Sequence, residues 1–235
     1  MLQFRPGLVR CAVPRRVFLA AGIAGVASCA FPRAAGAVAA LSLPAATGNR
    51  RFSVFYQGDR IGSHTVSYSS ASGEMRVATA IDLLVKVAFF DVFAFRHRSE
   101  ESWRGGRLMS LTSDTVEDGE PLHVEGRETR HGFRVISDGG PFIASAATLT
   151  SNSLWTPAVL DQATVVDAQH GGVIGVSART LGDELILVGG RSISATRHTF
   201  ITPYLAGSIW YDKENLWVQG EFEREGSKVQ YVLDS

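Results

Sequence analysis

His97, Ser99, Glu101 and Trp103 alternate with Arg96, Arg98, Glu100 and Arg104. An imidazole and a carboxylate on one face of an extended segment are the materials of general acid–base chemistry. Four residues along a strand span about 13 Å, however, so His97 and Glu101 cannot touch, and each needs a partner on a neighbouring strand. A third candidate is Asp167, which shares a face with Gln169 if the chain is extended before Gly171. It could bind a polar headgroup or simply hold the turn, and the turn is the better reading. His97, Glu101 and Asp167 are thus the candidate catalytic residues.

Other chemistries lack a seat. His64, His97, His123, His131, His170 and His198 are scattered, with no His-Glu-x-x-His pattern, so no metal site is expected. Glu100 and Glu101 point to opposite faces as neighbours on a strand, and Glu221 and Glu223, on the face away from Phe222, read as solvated strand surface. Gly171-Gly172-Val173-Ile174-Gly175 lacks the Gly-Lys-Ser/Thr ending of a phosphate loop, and no Gly-x-Ser-x-Gly elbow occurs. Nothing calls for a cofactor.

Aromatic residues are the more suggestive set. Phe89, Phe90, Phe93 and Phe95 cluster, and Trp103, Trp155, Trp210 and Trp217 follow. Such rings either fill a core or line an apolar cavity. Phe89, Phe93, Phe95, Trp103, Trp155 and Trp210 are the candidate ligand-binding residues.

The elements that must position these groups are strands. Turn signals recur every eight to twelve residues from about residue 50 onward, and Phe52, Val54 and Tyr56 alternate with polar residues before Gly58. Met75, Val77, Thr79, Ile81, Leu83, Val85 and Val87 share one face of a long strand. Further strands are expected over 61–69, 91–103, 108–116, 122–129, 133–137, 173–179, 184–188, 192–201, 208–211, 216–224 and 228–233. Between them, Thr156-Pro157 reads as an N-cap with proline at the first helical position, opening a short plug helix near 157–163. The expected fold is all-β with minor α: a curved antiparallel meander of about a dozen strands, because an open flat sheet that wide is unusual. It would form a half-barrel or barrel over residues 51–235, preceded by a linker at 38–50.

The N-terminus reads as an export signal covering residues 1–37. Arg15-Arg16 opens an apolar run from Val17 to Ala30, and Ala35-Gly36-Ala37 supplies a small-residue cleavage site. Arg15, Arg16, Phe18 and Leu19 resemble a twin-arginine signal, although Pro14 stands where Ser or Thr is usual; the alternative is the general secretory route. Val26-Ala27-Ser28-Cys29 also resembles a lipobox, with lipidation at Cys29 as the lesser reading. Cys11 and Cys29 are the only cysteines, so the mature domain would carry no thiol chemistry and no disulfide. Removing the segment takes five arginines and leaves 18 basic against 23 acidic residues, a formal charge of −5, which argues against nucleic acid as a partner.

Four stretches carry a resemblance: Gly58 to His64, Arg96 to Arg104, Asp167 to Gly171, and Ile209 to Asp212. Together they resemble a family of exported bacterial domains of unknown function over roughly residues 50–234. The resemblance implies a sheet wrapped like that of the lipoprotein-localisation proteins LolA and LolB, an analogy of fold that carries no activity.

Three functions are therefore open. The first is an exported, periplasmic protein holding an apolar or amphipathic molecule, a lipid or lipid-linked group, in the concavity of its sheet. The second is an enzyme using a cavity histidine or carboxylate. The third is an envelope assembly protein that recognises a protein partner through a strand edge.

Overall fold

The computed structural model describes residues 48–87, 90–224 and 226–234. The expected export segment, most of the expected linker and Phe89 lie outside the described residues.

Two meanders make up the sheet. The first contains β1 (Gly48–Tyr56), β2 (Asp59–Ala71), β3 (Glu74–Val87), β4 (Phe90–Arg104), β5 (Arg107–Glu117), β6 (Glu120–Thr129), β7 (Gly132–Ser137) and β8 (Phe142–Ala144). A connecting segment holds two 3-10 turns, Ser153–Trp155 and Pro157–Asp161, and a small separate hairpin of β9 (Thr164–Val166) and β10 (Val173–Gly175). The second meander is β11 (Ser177–Val188), β12 (Arg191–Ile201), β13 (Ala206–Asp212), β14 (Trp217–Arg224) and β15 (Ser227–Leu233). Antiparallel pairing of β15 with β1, from Phe52 opposite Leu233 to Tyr56 opposite Val229, joins the meanders into one 13-stranded sheet. Its order runs from β11 through β15, β1 and β4 to β8, and it does not close: β11 and β8 are its edges.

Packing shows that this sheet curves. Phe200, Ile209, Tyr211, Trp217 and Phe222 from the second meander share one core with Phe52, Val77, Trp103, Leu111 and Phe133 from the first. A flat layer would hold those rings far apart along its width. Register breaks at Val54/Phe55, Val85/Lys86, Ser102/Trp103, Thr180/Gly182 and Trp210/Tyr211 supply bends, since an extra residue on one strand increases its local twist.

The connecting segment fills the concave side. Leu149, Trp155, Val159, Val165, Val166 and Ala168 are buried in the same core. Its second turn begins as the sequence suggests, with Pro157 in the first position and the Thr156 side chain accepting from the Ala158 amide, though it is a 3-10 turn. We refer to residues 145–172 as the plug.

β8 and β9 stand where no strand is expected from the sequence, and three of the boundaries that differ have a clear local cause. β1 starts at Gly48, inside the expected linker, because Gly48 pairs with Tyr68. The expected strand at 173–179 ends at Gly175, where the Val176 amide turns to the Ala163 carbonyl. The expected break after Arg179 is instead a bulge: Leu181 has no partner on β12, Gly182 takes a φ of +121°, and β11 continues to Val188.

Candidate functional site

Strand alternation places the chemistry-bearing residues of β4 inside. Phe95, His97, Ser99, Glu101 and Trp103 are buried, while Arg96, Arg98, Glu100 and Arg104 are exposed. Their cross-strand neighbours extend a polar band over the inner face. His64, Ile81, His97 and Thr115 form one row across β2 to β5; Val66, Thr79, Ser99 and Ser113 form the next; Tyr68, Val77, Glu101 and Leu111 the third. A sheet that only needed a core would place aliphatic side chains at most of these positions.

The plug satisfies most of this band. Asn152 Nδ2 donates to His97 Nε2 at 2.9 Å and to Ser99 Oγ at 2.8 Å. That leaves the proton of His97 on Nδ1, which donates to Thr115 Oγ1 at 2.8 Å. Burial lowers the His97 pKa to about 4, so the ring is neutral. Glu101 accepts from Thr150 Oγ1 at 2.5 Å and from Trp103 Nε1 at 3.0 Å. Burial raises its pKa to about 7, against the opposing pull of these donors. The Trp155 indole lies near enough to favour the Glu101 charge, yet its N–H forms no directed hydrogen bond. Ser113 Oγ donates to the Ala168 carbonyl.

Asp167 holds a turn. Its Oδ1 accepts from the amides of Gln169 and His170 at 2.9 and 3.3 Å, and its Oδ2 meets His170 Nδ1 at 3.0 Å. His170 Nε2 reaches Glu117 Oε2 on β5 at 3.0 Å, so one imidazolium ties the plug to the sheet between two carboxylates. Hydrogen bonds to Asp167 and Glu117 raise the His170 pKa to about 10. Burial works to raise the Asp167 pKa, but the bonds from His170 and Gln169 outweigh it and hold the carboxyl below its usual range. His97, Glu101 and Asp167 thus lie in one interface with the plug, each with its own partners, and the hydroxyls nearest to the first two, Thr115 at His97 and Thr150 at Glu101, are held in those hydrogen bonds.

The aromatic candidates divide into three settings. Trp103 and Trp155 are fully buried with their rings edge to face at 5.6 Å, so they fill the core. Trp210 points to the opposite face from its neighbours Ile209 and Tyr211, where it packs with Ile186, Ala195 and Val218. Its Nε1 donates to Glu184 at 2.6 Å and the Arg197 guanidinium lies 5.0 Å from its ring centre. Phe93 and Phe95 are different. Phe93 is half-buried, its ring lies 6.2 Å from that of Phe95, and Phe95 in turn stacks on His97 at 6.3 Å. Leu83 and Val85, opposite Phe95 and Phe93 on β3, are half-buried as well. The inner face therefore has an apolar lip at the β3–β4 end, with rings leading from it to the buried polar band.

Sequence reasoning missed the plug's side of the site, namely Thr150, Asn152 and Ser153. The run Thr148-Leu149-Thr150-Ser151-Asn152-Ser153 is a dense set of short hydrogen-bonding side chains just before the turn, and it was the available signal. It also gave His64 no role beyond its place among scattered histidines.

Comparison with known proteins now fits this geometry. Residues 52–234 match the family described as Domain of unknown function (DUF6134). The chain belongs to that family. Among solved structures it is similar to a protein from Brucella abortus described as a beta-barrel-like protein of domain of unknown function DUF1849. The two share 9% identity with a TM-score of 0.58, over 80% of this chain and 95% of that one, which is a likeness of fold. That neighbour does not show the expected likeness to lipoprotein-localisation proteins. No curated protein matches the chain.

Proposed function

We propose that this DUF6134 domain works after export to the periplasm, as a carrier or receptor for an apolar or amphipathic molecule such as a lipid or lipid-linked group. The observation that carries the reading is the half-buried apolar lip of Leu83, Val85 and Phe93, which continues through Phe95 into a polar band on the inside of an unclosed curved sheet. An amphiphile needs such a gradient: apolar surface for its chain and buried donors and acceptors for its polar end. Leu149, Trp155, Val159, Val165 and Val166 of the plug pack in the core on the same inner side. Chemistry on the ligand has no support here, since His97 is neutral and doubly hydrogen-bonded and Glu101 is enclosed by Thr150 and Trp103. Native mass spectrometry of the protein purified from its own envelope tests the reading: a retained lipid-sized mass is expected, and a clean apo mass from gentle extraction counts against it.

One observation favours envelope assembly as a second reading. Edge strand β11 exposes Leu185 and Leu187, at 75% and 69% of their full surface. A strand with one open edge and apolar side chains is a template for another chain. Recovery of a single stoichiometric protein from envelope extract, lost on changing Leu185 and Leu187 to lysine, would support it.

A further inference from the structure

His64 is 3% exposed, and neither of its ring nitrogens has a hydrogen-bond partner. Native proteins leave few buried polar groups in that state, and each needs a physical reason. Its surroundings are aromatic. Trp217 stands edge-on at 5.2 Å, Tyr231 at 5.8 Å and Phe52 at 6.4 Å, from β14, β15 and β1. The adjacent polar residues of the band are engaged elsewhere, His97 by Thr115 and Asn152 and Ser99 by Asn152. On the lip side, the next inner position of β2 is Gly62, between Val54 and Leu83. It brings no side chain, and a Cβ there would strike the Asp82 carbonyl. No side chain of β2 therefore stands between His64 and the half-buried Leu83 on the neighbouring strand.

We propose that His64 is the polar anchor of a ligand subsite, taking the hydroxyl or carbonyl of an uncharged amphiphile whose apolar chain runs over Gly62 to the lip. The neutral imidazole offers one donor and one acceptor on opposite sides of the ring, and a hydroxyl can pair with either of them. Burial holds its pKa at about 3, so it presents no cation to a carboxylate or phosphate. This rests on the carrier reading above and narrows its ligand to a neutral polar end.

The test uses the mature chain and three probes of equal chain length: 1-decanol, decanoate and 1-chlorodecane. Calorimetry is expected to show decanol binding at least tenfold tighter than chlorodecane or decanoate, and the His64 ring nitrogen resonances to move with decanol. His64→Phe fills the cage without polar atoms, so it should keep chlorodecane binding and lose the preference, while His64→Gln should retain part of it. Equal affinities in the natural protein, unmoved His64 resonances, or an unchanged preference in His64→Phe would overturn the anchor and leave the carrier reading standing. Failure of all three probes to bind would overturn both.

Discussion

Glu101 carries the sharpest prediction at the scale of single residues. Its folded pKa of about 7 lies above the ordinary carboxylate value of 4.5, so its proton is held more tightly in the folded chain. Its contribution to stability is full below pH 4.5 and is lost as the pH rises through 7. Urea unfolding at pH 5 and pH 8 should show Glu101→Gln losing less, relative to the natural protein, at the higher pH. Glu101→Ala leaves the Thr150 hydroxyl and the Trp103 indole without their acceptor, an expected cost of about 2–4 kcal/mol at pH 5. His97 has the opposite sign: its pKa is lowered to about 4, so its contribution is present above 6.5 and is lost as the pH falls through 4. Sequence alone placed His97, Glu101 and Trp103 on one inner face, because alternation along β4 depends only on strand geometry. What it could not place was Asn152 and Thr150, 55 and 49 residues away, since the contact depends on how the plug threads the concavity.

Among the elements, the plug and β11 respond differently to substitution. Trp155 is fully buried between Tyr68 and Trp103. Trp155→Ala should cost about 3–5 kcal/mol in urea unfolding, the range for removing a large ring from a packed core. Gly182 at the β11 bulge has open space where a Cβ would stand, but its φ of +121° is closed to other residues. Gly182→Val should therefore cost about 1–3 kcal/mol through the backbone alone, with the core unchanged in its near-ultraviolet circular dichroism. That bulge also explains why β11 was hard to read. Thr180-Leu181-Gly182-Asp183 interrupts the apolar alternation in the same way as a turn, and only pairing with β12 distinguishes the two. Conversely, Thr156-Pro157 was legible because capping is a local hydrogen bond, here from the Ala158 amide at 3.4 Å.

For the whole molecule, the His170 clamp links pH to the closure of the plug. With its pKa raised to about 10 by Asp167 and Glu117, its stabilisation is full below 6.5 and declines as the pH rises through 10. Melting temperature should fall over that window more steeply in the natural protein than in His170→Gln. Export is tested separately: replacing Arg15 and Arg16 by lysine should abolish periplasmic accumulation if the twin-arginine route is used, and N-terminal sequencing of the mature protein should begin after Ala37. The central claim is that an amphiphile sits inside the curved sheet, and photo-crosslinking maps its place most directly. A long-chain alcohol bearing a diazirine, added to the full mature chain, should label peptides of β3 and β4 around Leu83, Phe93 and Phe95. Labelling confined to the outer face, around Arg96, Arg98 and Asp114, or no labelling above a scrambled-fold control, would contradict it.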